Sequence, residues 1–190
     1  MKSGIVLIAS ALVLSLFVPT VEAVEGGGPA TLSIGQTELA KNGVGTRSKM
    51  MLSLYECSLY LPQKSNDSVA ILDSEQPMAV RIEITSRFVS QSKMIASLND
   101  GFRQSTGGRT DSIAADIKKF SDCFSDPIKM GDVFILAYAP GTGVIVSKNN
   151  QPKGTVGDQA FKKALMGIWL GSNPVDKNLR TALLGNTNLR

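Results

Sequence analysis

The sequence predicts an α+β domain: an antiparallel sheet with a layer of helices packed on one side. Three observations predict it. Segments with a two-residue apolar period come first, two segments with helical period follow, and then strands and two more helices return. Short Gly, Pro and Asn turns join the strands, so strands adjacent in sequence pair antiparallel. No repeat or linker divides the chain, and 190 residues with 43% hydrophobic content suit one core.

The first 23 residues, MKSGIVLIASALVLSLFVPTVEA, have the pattern of a secretory signal. Lys2 supplies the basic end, residues 5–18 the apolar run, and Val21 and Ala23 the small residues before a cut after Ala23. The run is short for a bilayer span, and no cysteine stands at the cut to carry a lipid. The chain is therefore expected to comprise a signal, 1–23, and one domain, 24–190, exported to a periplasm and without a membrane span of its own.

After a glycine-rich leader, residues 31–34 and 37–41 flank Gly35-Gln36 as a small hairpin. Residues 42–62, NGVGTRSKMMLSLYECSLYLP, form the longest extended stretch. It is expected to open with a turn at Gly43 and Gly45, to run as a central hairpin or long bent strand, and to stop at Pro62. Residues 69–72 are compatible with a short helix or a short strand. MAVRIEIT, residues 78–85, alternates as a strand. Ser90 is a good N-cap for a helix whose stripe is Met94, Ile95, Leu98 and Phe102. A second helix is expected to be capped by Asp111, with Ile113, Ile117, Phe120 and Phe124 on one face. Residues 132–138, 144–147 and 154–156 read as a meander through the turns at 140–143 and 149–150. A helix carrying Phe161, Ala164, Leu165, Ile168 and Trp169 stops at Gly171. A last helix is expected to begin at Asn173 and Pro174.

Composition removes several functions. There is no histidine, so histidine-based triads, zinc sites and haem ligation are excluded. No metal or organic cofactor is expected. The net charge of +4 is mild and scattered, without interleaved aromatics, which argues against nucleic acid. Cys57 and Cys123 suit either a disulfide in an oxidising compartment or two buried thiols. Gly43-x-Gly45 and Gly141-x-Gly143 lack the glycine set and the helix of a phosphate-binding loop. What remains is Arg47, with Tyr55, Tyr60 and Asn99, beside an apolar wall. A guanidinium at an apolar mouth suits a carboxylate, gripped by two parallel hydrogen bonds. The competing reading is an internal ion pair, with Glu56 or Asp100 as the partner.

The segments NGVGTRSK, LYECSLYLP, GDVFILAYAPGTGVIVSKN, KGTVGDQAFKKALMGIWLG and NPVDKNLRTALLG, in this order, resemble the chalcone isomerase-like family, in an exported bacterial branch. The resemblance implies an open-faced β-sandwich, a large antiparallel sheet curled against helices, with the ligand cleft between the layers. It implies intramolecular lyase chemistry in plant members, and fatty-acid binding through an arginine and a tyrosine in others. Arg47 matches the family arginine and Asn99 its asparagine. Tyr55 stands where the catalytic members have threonine, Ser92 where they have tyrosine, and Ile168 and Trp169 where they have a threonine-methionine pair. The anchor is kept and the enone-activating hydroxyls are not.

The function this implies is non-catalytic binding of a fatty acid or similar apolar carboxylate. Arg47, Tyr55 and Asn99 would hold the head, and Met94, Leu98, Phe161, Leu165, Ile168 and Trp169 would line the tail. A chalcone-type isomerase and an interaction protein with a collapsed cleft are the alternatives. The residues name no protein partner.

Overall fold

The computed structural model describes residues 26–186, and the expected signal segment lies outside them. Seven strands form one sheet: β1 (Thr31–Ile34), β2 (Thr37–Lys49), β3 (Leu52–Leu61), β4 (Met78–Ile84), β5 (Val133–Ala139), β6 (Gly143–Lys148) and β7 (Gln151–Val156). Their order in space is their order in sequence, and every pair is antiparallel. Five helices complete the domain: α1 (Ser68–Asp73), α2 (Gln91–Ser105), α3 (Ala114–Asp122), α4 (Gln159–Leu170) and α5 (Lys177–Leu183).

Strand alternation sorts the two faces of the sheet. Cys57, Leu59, Val80, Ile82, Phe134, Leu136 and Val146 point to the main core, where they meet Met94, Leu98, Phe102, Phe120, Phe161 and Leu165 from the helices. Phe102, Phe120, Phe124, Phe134 and Phe161 interlock with centroids 4.9–5.9 Å apart, a geometry that adds to area burial. The opposite face carries a smaller cluster of strand residues around Leu39, Tyr60, Ala79 and Ala137. The helix layer thus covers one side, as the α+β reading predicts.

Residues 42–62 form the hairpin, one of the two expected forms, but its turn is not at the glycines. The chain reverses at Met50 and Met51, both with positive φ (49° and 63°). Gly43 and Gly45 lie inside β2 and make room for α5. A Cβ on Gly43 would sit 2.1 Å from the Ala182 carbonyl oxygen, and one on Gly45 would sit 2.7 Å from the Ala182 Cβ. Two register shifts bend this hairpin. At the first, Asn42 bulges and its amide donates to the carbonyls of Ser65 and Leu183 and accepts from the Ser65 N–H. At the second, between Arg47 and Ser48, Leu54 has no opposite number, so Leu54 and Tyr55 both pack toward the helices.

One open reading is resolved and two smaller expectations change. Residues 69–72 are helical, because Asp67 accepts from the N–H groups of Val69 and Ala70 and starts α1. Asp111 does not cap α3: it opens a single 3-10 turn, Asp111–Ile113, that leads into it. The cap of α5 is Asp176 rather than Asn173. The cysteines are both free and buried. Cys57 is in β3, whereas the Cys123 sulfur lies against Gly154 of β7. Four strand spacings separate them, about 19 Å along the sheet, too far for a disulfide.

Candidate functional site

A hollow of about 170 Å³ opens between the β2–β4 end of the sheet and helices α2 and α4. Strand β2 brings Arg47 to its rim by the two-residue period from Gly43 and Gly45, on the side where α5 rests. The bulge in β3 contributes Leu54 and Tyr55. The first face of α2 contributes Met94, Leu98, Gly101 and Gln104 at helical spacing, and the end of α4 contributes Ile168 and Trp169. The helices cross closely because Gly101 lies under Ile168, where a Cβ would meet side-chain carbons at 2.9–3.1 Å. Two larger depressions, about 470 and 410 Å³, lie elsewhere, one beside α1 and one beside Asn42 and Leu184. Neither joins an arginine to an apolar wall.

Arg47 is 19% exposed and half engaged. Its Nη1 donates to the Ser48 carbonyl at 2.6 Å and to Oδ2 of Asp176 at 3.2 Å. Asp176 meanwhile caps α5, its Oδ1 accepting from Asn178 and Leu179. The Nε and Nη2 of Arg47 have no hydrogen-bond partner among the described residues, so one edge of the guanidinium is open. Neither acid weighed from the sequence is the partner: Asp100 is taken by Arg103, and Glu56, paired with Thr46, points to the opposite face of the sheet.

Tyr55 is the second polar group. Its oxygen accepts from Trp169 Nε1 at 3.0 Å, and its own hydrogen is not taken by any described residue. Burial pushes this hydroxyl far above the ordinary tyrosine range, and the neighbouring Cys57 thiol adds to the shift, so Tyr55 stays neutral and a donor. The indole N–H donated to it polarises that O–H further. The hollow therefore offers a cationic edge and the neutral Tyr55 donor beside apolar side chains of β3, α2 and α4, with Lys49, Ser97, Asp100 and Gln104 also on its lining.

Arg47, Tyr55, Met94, Leu98, Ile168 and Trp169 are brought together around this hollow. Asn99 and Leu165 are not among the residues that line it. Asn99 is half-buried on α2, one residue beyond Leu98 and so about 100° around the helix. Leu165 and Phe161 are fully buried deeper in the core. Ser92 is exposed on the first turn of α2, bonded to Ser90, also outside the hollow. Sequence reasoning missed Asp176. Its signal was present, an aspartate two and three residues before Asn178 and Leu179, but Asn173 with Pro174 offered a competing helix start.

The model of chalcone isomerase-like proteins matches residues 21–185. The chain belongs to the chalcone isomerase-like family. Among solved structures it is similar to a fatty-acid binding protein of Arabidopsis thaliana, with a TM-score of 0.63 and 18% identity over 83% of this chain and 91% of that one. At that identity the likeness shows the fold of this family member: a curled sheet against helices. No curated protein matches the chain. No helix among the described residues is long and apolar enough to cross a membrane.

Proposed function

We propose that this chalcone isomerase-like protein is an exported, non-catalytic binding protein for an apolar carboxylate, held between the sheet and helices α2 and α4. One observation carries this reading: the open edge of Arg47 and the free Tyr55 hydroxyl belong to residues that line one hollow, together with the apolar side chains of Leu54, Met94, Leu98, Ile168 and Trp169. A carboxylate has two oxygens, one for each donor group. That the similar solved structure is a fatty-acid binding protein supports the choice of ligand class. Export to a periplasm belongs to the same proposal and rests on the pattern of residues 1–23.

The size of the hollow sets the tail. At about 30 Å³ per water-sized group, 170 Å³ holds about five or six such groups. Each methylene buried there contributes about 0.8 kcal/mol, so a short chain gains about 4 kcal/mol from its tail. A long chain needs α2 and α4 to part, or must leave part of itself in the mouth. Calorimetric titration with octanoate and hexadecanoate tests this. The expected result is saturable binding that Arg47→Gln weakens at least tenfold and Tyr55→Phe weakens by less. Absence of binding at both chain lengths, or an Arg47→Gln variant that binds as the parent does, overturns it.

A second reading rests on the volume. The hollow is smaller than the roughly 300 Å³ at which ligand pockets begin, because the Trp169 indole and the Tyr55 ring occupy the space between the layers. In that reading the cleft is filled by its own side chains and the protein serves as an interaction scaffold. Trp169→Ala separates the two readings. It enlarges a ligand site and raises affinity for long chains, whereas a filled cleft only loses stability. Isomerase activity is checked by loss of chalcone absorbance above the spontaneous rate, and none is expected.

A further inference from the structure

We propose that the end of the sheet carrying the β2–β3 turn docks onto an anionic lipid bilayer. Six large apolar side chains are exposed among the described residues: Met50, Met51, Leu52, Val69, Phe88 and Met130. All but Val69 lie beyond one end of the sheet. Met50, Met51 and Leu52 form the tip of the β2–β3 hairpin. Strand β4 ends beside the start of β3, with Thr85 N donating to the Leu54 carbonyl, and the chain reaches Phe88 three residues later. Gly131 N donates to the Ile84 carbonyl, which sets Met130 at the same end.

The turn itself marks this end as unusual. Met50 and Met51 have φ of 49° and 63°, and Asn149 and Asn150, in the β6–β7 turn, have 50° and 63°. The two hairpins share one backbone geometry. Asn and Gly suit it, and long side chains are strained there. The β6–β7 turn has the suitable residues. The β2–β3 turn instead has two methionines, 87% and 101% exposed, which no internal contact explains. A local rule is broken with no gain inside the fold, as happens at functional sites.

Charge selects the partner. Lys49, Arg87, Lys93 and Lys129 are exposed at this end, and none has a carboxylate partner among the described residues. Arg87 lies 5.2 Å from the Phe88 ring, and Lys93 donates to the Phe88 carbonyl. The nearby acids are already matched: Asp132 with Lys148, Asp126 with Lys153, Asp176 with Arg47. Apolar tips ringed by unmatched cations fit the interface of an anionic bilayer, where side chains such as Met and Phe enter the acyl boundary and cations meet headgroups. Lys49 and Leu54 also line the hollow, so docking would set its mouth against the lipid. The inference does not depend on carboxylate binding, since it is read on ligand-free protein.

The test is co-sedimentation of the protein with vesicles of phosphatidylglycerol and phosphatidylcholine, against phosphatidylcholine alone. Binding to the anionic vesicles, reduced by salt, is expected. Lys49→Glu and Lys129→Glu should each weaken it about fivefold or more. The paired change Met50→Asn with Met51→Gly should abolish it while raising the thermal midpoint, so a folding defect cannot account for the loss. Absence of binding to anionic vesicles, equal binding to both lipids, or full binding by the Asn-Gly variant overturns the proposal. So does a concentration-dependent dimer that the Asn-Gly variant dissociates without any vesicle binding, which would assign this surface to a second copy.

Discussion

Replacing Lys162 with methionine should destabilise the protein by about 2–3 kcal/mol at pH 7. Lys162 is on α4, fully buried, and its ammonium donates to the carbonyls of Ile71, Leu72 and Ser74 at 3.0, 3.0 and 2.7 Å. These are the last acceptors of α1, where helix carbonyls lack intrahelical partners. The ammonium also sits 5.4 Å from the Tyr138 ring. Three charge-assisted bonds at about 1.5 kcal/mol each contribute about 4–5 kcal/mol, and removing a buried cation relieves about 2 of that. Methionine matches the length and leaves three carbonyls without a donor. Urea unfolding followed by Trp169 fluorescence measures the difference. The pH profile gives a second reading. Burial pushes the Lys162 amine down to about 8 from 10.5, so between those values the unfolded chain holds a proton that the folded chain has released. Stability contributed by this group therefore rises with pH across that window. A Lys162→Met variant as stable as the parent at pH 7 refutes the clamp. A parent-minus-variant difference that falls between pH 8 and 10 refutes the assignment of the proton.

Two further predictions concern the seat of Arg47. Gly43→Ala puts a methyl 2.1 Å from the Ala182 carbonyl oxygen, so α5 must shift, and chemical denaturation should show a loss of about 2–3 kcal/mol. Asp176→Ala removes the α5 cap and should cost about 1 kcal/mol of stability. It also frees Nη1 of Arg47, so octanoate should bind several-fold tighter, opposite to the effect of Arg47→Gln, and weaker binding in the same titration would contradict the competition between Asp176 and a ligand.

Much of the fold was legible because local period and turn chemistry are written in short windows. The alternation of residues 78–85, the Ser90 cap, the Asn149-Asn150 turn and the Phe161–Trp169 stripe each became the expected element. The misreadings share a cause. Gly43 and Gly45 looked like a turn because glycine permits turns, yet here they are strand residues made small by a helix more than 130 positions later in the chain. Met50 and Met51 fell inside the stretch read as extended, because nothing in their residue type marks a turn, and they form it. The site was legible in part. Arg47, Tyr55, Met94, Leu98, Ile168 and Trp169 surround one hollow, but Asn99 falls on another side of α2 and Leu165 lies behind the wall.

By itself the sequence determined the class of fold, the order of nearly all its elements and the exclusion of histidine chemistry, because each depends on composition or on spacing within a few residues. Only the tertiary structure decided how Arg47 is shared. Its acid partner is 129 positions away, on a helix seated in a glycine gap of β2, and the volume left beside it depends on how the Trp169 and Tyr55 side chains pack across two layers. Such contacts form between distant segments, and no local pattern records which side chain will fill the space between them.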